Sequence, residues 1–337
     1  MSLIKLLREI DRYLVRILAH LVPKKWSKTH NYNNILIIKL WALGDSIPTL
    51  PLINSLKKAG KEVDILCTPR NKPIYEDQEV INNLYLLNKF IPKWNHYDLA
   101  IDLEPYLNIS SLVGWFCGRA LMGFSGQPRS RLYSLSIPFN KEKHIVQIYL
   151  DFARKLNLKA IDNLIPLTKE KNKVAKIGIC PGVGKTAKSR MWDNKKWAQL
   201  CDELSQFGPI LFVGKEDEVI HNIQRLMKER SIYKRVSLKE LFKIINGLDL
   251  FISVDTGPLH IAAAQGVKTI GLFGPNTPTI WGPYGKGNIS IYKKTDCSPC
   301  IQNDKGLMPD CRDNICMQRI TVDDVYRASL KLLNRGI

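Results

Sequence analysis

No apolar run in this chain approaches the roughly 20 residues that a bilayer-spanning helix needs, which excludes a helical integral membrane protein. Carboxylates are scarce: 31 Asp and Glu stand against 50 Lys and Arg in 337 residues, for a net charge of +19. A surplus of that size points to anionic partners, whether nucleic acid, phosphorylated substrates or an acidic membrane face. Cysteine, at eight residues, is too sparse for a disulfide-dense secreted scaffold. There is no repeat of solenoid period and no low-complexity tract. Hydrophobic residues at 45% and charged residues at 24% are ordinary globular usage, which excludes disorder and fibrous structure. A Gly-x-Gly-x-x-Gly fingerprint is missing after the first strand-like run, where Gly44 stands alone, and this argues against a dinucleotide-dependent oxidoreductase.

What is present begins with a helical period. Leu3, Leu7, Ile10, Leu14, Ile17 and Leu21 recur at three- and four-residue steps and share one face, with Lys5, Arg8, Arg12 and Arg16 opposite. Residues 1–30 hold seven Lys or Arg against Glu9 and Asp11. The spacing predicts a basic amphipathic helix that either packs on its own domain or lies in the interface of an anionic membrane. Charges every four residues leave no clean apolar core for a secretory signal.

Strand-like and helix-like segments then alternate. Asn34–Leu40, Val63–Cys67 and Tyr97–Leu103 read as buried strands, with a helix near Pro48–Lys58. The pattern restarts with strands at Ala175–Cys180, Pro209–Val213, Leu250–Val254 and Thr269–Phe273, and with helices from Asn194 and over Leu259–Gln265. Such alternation predicts an α/β fold of two Rossmann-like domains with parallel sheets. The expected division is residues 1–30 as the N-terminal helix, 31–168 as the first domain, 169–320 as the second and 321–337 as a C-terminal helix. Lysine-rich Lys169–Lys173 reads as the linker.

Chemistry concentrates after the strand Leu250–Val254. Asp255-Thr-Gly-Pro-Leu-His260 leads into a helix whose first amides and dipole attract an anion. Gly257 permits close approach, Thr256 adds a hydroxyl and His260 a ring donor; the plainer reading of the same residues is a helix cap with a satisfied histidine. The continuation Ile261-Ala-Ala-Ala-Gln-Gly266, then Ile270-Gly-Leu-Phe-Gly-Pro275 and Trp281-Gly-Pro283, resembles the signature of glycosyltransferase family nine, which contains the ADP-heptose:lipopolysaccharide heptosyltransferases. Lys39-Leu-Trp-Ala-Leu-Gly-Asp45, Pro181-Gly182 followed by Lys185-Thr186 and Arg190-Met-Trp192, and Cys297-Ser-Pro-Cys300 with Cys316-Met317 are similar to further landmarks of that family, over residues 33–330.

The resemblance implies a GT-B architecture, with acceptor on the N-terminal domain and nucleotide-sugar donor on the C-terminal one. It also implies inverting, metal-independent transfer, with no cofactor required for catalysis. In those roles Asp45, on the loop after the first strand, is the candidate base; its alternative reading is a helix cap. Thr256, Gly257, His260, Lys185, Thr186 and Arg190 are candidates to neutralise the leaving diphosphate. Glu218, or Asp217 or Glu216 beside it, is the candidate acceptor for ribose hydroxyls. Asp255 either contacts the donor sugar or orients its loop. The chain departs from the family where Arg190 replaces a lysine, Asp193 a proline and Lys185 a small hydroxyl residue. The implied partners are a nucleotide-sugar donor, an anionic lipid-linked saccharide and an anionic membrane surface. The implied location is cytoplasmic, peripheral on the inner face of the bacterial inner membrane.

Cys297-x2-Cys300-x10-Cys311-x4-Cys316 has spacing compatible with a four-thiolate structural zinc knuckle or an iron–sulfur cluster; plain reduced thiols, or a redox-active or disulfide state, are the other readings. Cys67, Cys117, Cys180 and Cys201 read as core residues. Two other functions compete. One is a basic nucleic-acid-binding protein with a zinc knuckle, disfavoured because the cations are spread along the chain and no recognition helix stands out. The other is a family member that binds nucleotide sugar without transferring it, against which the presence of Asp45 and His260 argues.

Overall fold

The computed structural model describes residues 11, 17, 21–25, 31–184, 187–308, 311 and 313–334. The chain divides into two compact units, 1–163 with 303–306, and 164–302 with 307–337. The division falls ahead of the Lys169–Lys173 stretch expected to be the linker.

In the first unit six parallel strands stand in the order β3-β2-β1-β4-β5-β6. They are β1 (Asn34–Ile38), β2 (Glu62–Cys67), β3 (Asn83–Leu86), β4 (Tyr97–Asp102), β5 (Gly118–Phe124) and β6 (Leu135–Ile137). Ile35, Leu36, Ile37 and Ile38 are all fully buried, because helices cover both faces of a parallel sheet and a central strand needs apolar side chains on each. Helices α1 (Leu50–Lys58), α2 (Ile109–Cys117) and α3 (Ile145–Lys155) are the longer ones here. Leu52, Ile53 and Leu56 bury one side of α1, and Lys57 and Lys58 sit in its last turn, where the dipole favours cations.

The second unit repeats the plan. Its strands β7 (Ile177–Cys180), β8 (Ile210–Val213), β9 (Ser231–Lys234), β10 (Leu250–Val254), β11 (Lys268–Phe273) and β12 (Ile289–Tyr292) form a parallel sheet ordered β12-β11-β10-β7-β8-β9. Counted from its own first strand this is again the doubly wound order 3-2-1-4-5-6. The longer helices are α4 (Asn194–Leu204), α5 (Asp217–Leu226), α6 (Leu238–Asn246), α7 (Gly257–Ala264) and α8 (Val322–Leu332). Asp193 caps α4 by accepting from Lys195 N and Lys196 N at 2.8 and 3.2 Å, so the residue that departs from the family's proline supplies a helix start of its own. Helix α8 opens on a reciprocal capping box between Thr321 and Asp324. Val325 and Leu332 of α8 lie in the second unit's core, so the expected C-terminal helix is an integral part of that unit.

Of the expected N-terminal helix, residues 1–30, only Asp11, Ile17 and Leu21–Lys25 lie among the described residues. Leu3, Leu7, Ile10 and Leu14 and the basic residues Lys5, Arg8, Arg12 and Arg16 lie outside them. Among the described residues no helix is long and apolar enough to cross a membrane.

Candidate active site

In a doubly wound sheet the order reverses between its first and fourth strands, and the loops leaving their carboxyl ends part to make a crevice. In the first unit those strands are β1 and β4. β1 runs into Lys39–Asp45, and β4 into Asp102–Glu104. The Glu104 Oε1 atom accepts from Leu40 N at 2.7 Å and Trp41 N at 2.8 Å, and Lys39 Nζ stands 3.3 Å from the same oxygen, with both side chains fully buried. Burial alone would lower the Lys39 pKa, but the Glu104 and Asp45 carboxylates outweigh it and hold the ammonium above the ordinary lysine value. Asn71 Nδ2 donates to Lys39 O at 2.8 Å, and Thr68 Oγ1 to Leu40 O at 3.2 Å, so the loop's backbone is tied on both sides.

Asp45 rides on this braced loop, half-buried in the one-turn helix Leu43–Ser46. The helix-cap alternative does not describe it: the cap position is Ala42, no side chain caps the turn, and Asp45 lies inside the first turn. A second buried pair stiffens the other wall. Arg129, 1% exposed, lies 3.3 Å from Asp102 and donates to Leu107 O and Glu104 O, while Tyr133 Oη donates to Asp102 at 2.9 Å. Lys39, Asp102, Glu104 and Arg129 were not singled out from the sequence. Lys39 was legible as a cation ending an apolar strand, whereas Arg129 lies 27 positions from its partner with nothing local to mark it.

In the second unit the reversal lies between β7 and β10. β7 ends in Pro181–Gly184 and β10 in Asp255–Gly257. Lys185 and Thr186 lie outside the described residues. The Asp255 carboxylate is 4% exposed; its Oδ2 accepts from Asn276 Nδ2 at 2.8 Å and stands 3.3 Å from Arg190 Nη1. Arg190 Nη1 also donates to Asp255 O at 2.9 Å. Of the two roles expected for Asp255, these contacts are those of a residue that orients its loop. Arg190 Nε is buried and has no hydrogen-bond partner among the described residues, an orphan donor beside the turn.

Thr256 is the N-cap of α7 in extended conformation, but its hydroxyl does not cap; it bonds Ser253 Oγ at 3.1 Å and Val254 O at 3.3 Å. Gly257 opens the helix, and Pro258, having no N–H, contributes no donor to the first turn. His260 is 6% exposed, with its ring edge-on to Trp281 at 6.4 Å. The carboxylate that reaches the Pro-Gly turn is that of Glu216: a Cβ on Gly182 would stand 2.6 Å from Glu216 Oε2, which is why this position carries glycine. Asp217 is taken by Tyr233 and Arg235. Glu218 is exposed in the first turn of α5. Burial pushes the Cys180 thiol up to about 12, so it stays neutral, as a core residue does.

The four C-terminal cysteines do not form a ready metal site. Cys297 is exposed, whereas Cys316 is buried in the turn Ile315–Gln318, its sulfur close beneath Gly274. The sulfurs sense one another, since burial and then the neighbouring thiols push Cys300 and Cys316 upward. Among the described residues, however, no group of three or more His, Cys, Asp or Glu is placed to hold an ion. The expected zinc knuckle is therefore not supported. A cavity of about 430 Å³ in the second unit, lined by Lys176, Asp249 and Lys268, opens at the other, amino end of the strands and is not part of this constellation.

Comparison with known proteins bears on these arrangements. The family model described as Glycosyltransferase family 9 (heptosyltransferase) matches residues 93–309. Lipooligosaccharide heptosyltransferase 2 of Campylobacter jejuni is 29% identical over 215 residues, 58% of this chain and 66% of that protein, so the chain spans just under two thirds of that relative's length. Lipopolysaccharide heptosyltransferase 1 of Campylobacter coli is 26% identical over 339 residues, 87% of this chain and 97% of that protein. Among solved structures, E. coli heptosyltransferase WaaC with ADP superposes with a TM-score of 0.70 at 18% identity, covering 88% of this chain and 99% of that one. The likeness shows the GT-B class of fold, two Rossmann-like units in one chain.

Proposed function

Since this chain belongs to glycosyltransferase family 9, the heptosyltransferase family, we propose that it transfers a heptosyl residue from a nucleotide-diphosphate donor, ADP-heptose, to a lipopolysaccharide-core saccharide. The observation that carries the donor half of this reading is Arg190, held on Asp255 at the carboxyl end of β10, whose buried Nε has no partner among the described residues. A diphosphate oxygen supplies the acceptor that this donor lacks, and the Gly257 amide and the α7 dipole add to the same charge. Lys185, Thr186, Thr256 and His260 belong to the same proposed group, with Glu218 accepting from the ribose hydroxyls.

In the transfer itself Asp45 takes the proton from the acceptor hydroxyl as its oxygen bonds the anomeric carbon. The bond from that carbon to the diphosphate breaks on the opposite face, inverting the centre. The departing negative charge is met by the chain's own cations and amides, without a metal. Lys39 and Glu104 hold the loop so that Asp45 arrives in one orientation. The charge of +19 suits an anionic, lipid-linked acceptor taken at the inner face of the inner membrane, and nucleic acid is not a partner.

The purified chain, screened by thermal shift against a panel of nucleotide sugars, is expected to be stabilised most by ADP-heptose. Incubation with that donor and a heptose-deficient core acceptor is expected to add one heptose by mass. Stabilisation without product would leave a binding protein and reject the transferase.

A further inference from the structure

The first unit carries apolar surface that its own core does not use. Ile17, Leu21, Ile91, Trp94, Ile109 and Phe116 are 60, 75, 80, 54, 38 and 38% exposed. Described contacts join Trp94, Phe116, Ile109 and the segment carrying Leu21 into one stripe, and Ile91 stands three positions before Trp94 in the chain. The Trp94 ring lies edge-on to Trp115 and to Phe116, each at 5.2 Å between centroids. Trp115 Nε1 donates to Pro23 O at 2.8 Å, which brings the segment carrying Leu21 against α2. At the other end of α2, the Asp11 carboxylate accepts from Asn108 N at 2.9 Å and Ile109 N at 2.7 Å, capping the helix and placing the N-terminal segment beside Ile109. Helix α2 itself has no charged residue in nine.

Apart from the Asp11 carboxylate, which is spent on the α2 amides, the charged groups placed around the stripe are cations. Lys25 Nζ lies 4.3 Å from the Trp94 ring centroid and 5.0 Å from that of Trp115. Lys89 and Lys93 flank Ile91, and with Phe90 they line a cavity of about 240 Å³ beside it. No Asp or Glu occurs from Val80 to Tyr97, nor from Pro105 to Lys141, the two segments that supply most of the stripe. Exposed Trp, Phe and Ile within a collar of lysines, with the Asp11 carboxylate already occupied by the α2 amides, match a layer of hydrocarbon beneath a layer of phosphate. A protein partner would have to offer an apolar surface ringed by acids alone. We infer that this stripe inserts into the interface of an anionic phospholipid bilayer, with Ile91 and Trp94 entering the acyl boundary and Lys25, Lys89 and Lys93 lying among the headgroups. The inference deepens the proposed membrane-side reading and rests on it for the acceptor, but lipid binding is measured without any transfer.

The test is flotation of the full chain with vesicles of phosphatidylglycerol and phosphatidylethanolamine, against phosphatidylcholine alone. The chain is expected to float with the anionic vesicles, more weakly as salt rises. Ile91→Asp, at a position too exposed to support the fold, should lower the vesicle partition coefficient by at least about tenfold, and Lys93→Glu by about tenfold. Thermal melting should be unchanged in both. Brominated anionic lipid should quench tryptophan emission in the wild type and less so in Trp94→Phe. Heptosyl transfer to a water-soluble, deacylated acceptor should be unchanged in the Ile91 variant, so that failure of the enzymatic reading is seen separately. Wild-type flotation by a normally folded Ile91→Asp variant would overturn the inference. So would a wild-type chain that ignores anionic vesicles but forms a dimer that Ile91→Asp disperses.

Discussion

The two units share one strand order and use it in opposite ways. At the carboxyl ends of β1 and β4 the first unit sets two ion pairs, Lys39 with Glu104 and Asp102 with Arg129, whose side chains are fully buried. At the matching point the second unit sets glycines, a proline and one pair, Arg190 with Asp255, at 16% and 6% side-chain exposure with a donor left over. Among the described residues both ends keep orphan polar atoms, Lys39 Nζ and Glu104 Oε2 in the first unit and Arg190 Nε in the second, so what separates them is bracing. Two buried ion pairs, and the Leu40 and Trp41 amides held by Glu104, fix the first unit's loop, which can then present a single side chain in one pose. The second unit's small residues and its less deeply buried pair leave room and polarity for a ligand to add contacts. The difference teaches that a doubled fold does not double a site: one copy holds a group rigid, the other keeps a place open.

The contrast breaks most readily at Glu104. Glu104→Ala leaves the Lys39 ammonium buried and unpaired, and should cost about 3–5 kcal/mol by denaturant unfolding. Asp255→Asn, which keeps the hydrogen-bonding shape beside a partly exposed arginine, should cost about 1–2 kcal/mol. Equal costs would mean that the two ends are braced alike. Next comes Asp45→Asn. Turnover should fall by about 10²-fold or more, at least about 2.7 kcal/mol in barrier, with ADP affinity and melting temperature nearly unchanged. Wild-type rates in that variant would remove Asp45 as the base and leave the first unit's bracing without a purpose.

Gly182→Ala tests the open side of the comparison. The new Cβ meets Glu216 Oε2 at 2.6 Å and Glu216 Cβ at 2.8 Å, so that side chain must move into the space above the strand ends. ADP affinity should fall about tenfold and stability by about 1 kcal/mol. Adding Glu216→Gly, which removes the Oε2 and the Cβ alike, should recover most of the affinity loss, because the clash and not the Gly182 flexibility is at issue; calorimetry of the double variant decides this.

The sequence disclosed the strands around each switch point well. Leu250–Val254 is found as expected, and the other expected strands shift by one or two residues at an end, because continuous Ile, Leu and Val runs bounded by loop residues have few alternatives. It disclosed α2 and β5 poorly: Cys117 ends the helix and Gly118 begins the strand with no intervening turn signal, and both are apolar. Positions were readable in the candidate site, since Asp45, Gly182, Asp255 and Gly257 all follow strands. Pairings were not. That Asp255 is held by Arg190 and Asn276, and that Glu216 lies on Gly182, depends on residues 21 to 65 positions apart that only the parallel crossovers bring together. The cysteine spacing left the metal open for a related reason: ligand spacing says which thiols can meet, not whether the backbone turns them toward a common point, and no such group is placed among the described residues.

The smallest expected effect separates neighbours on one loop. Glu218 is exposed in the first turn of α5, while Glu216 is half-buried, with its Oε2 accepting from Lys215 N at 3.0 Å. Glu218→Gln keeps the shape and removes the charge that strengthens a hydrogen bond from a ribose hydroxyl, so it should weaken ADP binding about five- to tenfold, roughly 1 kcal/mol, with no change in melting. Glu216→Gln should do the reverse: it loses a charge-assisted contact to backbone and lowers the melting temperature, while ADP affinity stays within about twofold. If titration calorimetry finds the larger affinity loss at Glu216, the ribose acceptor is the residue against the Pro-Gly turn. The second unit would then use a wall of its loop for recognition, as the first unit does not.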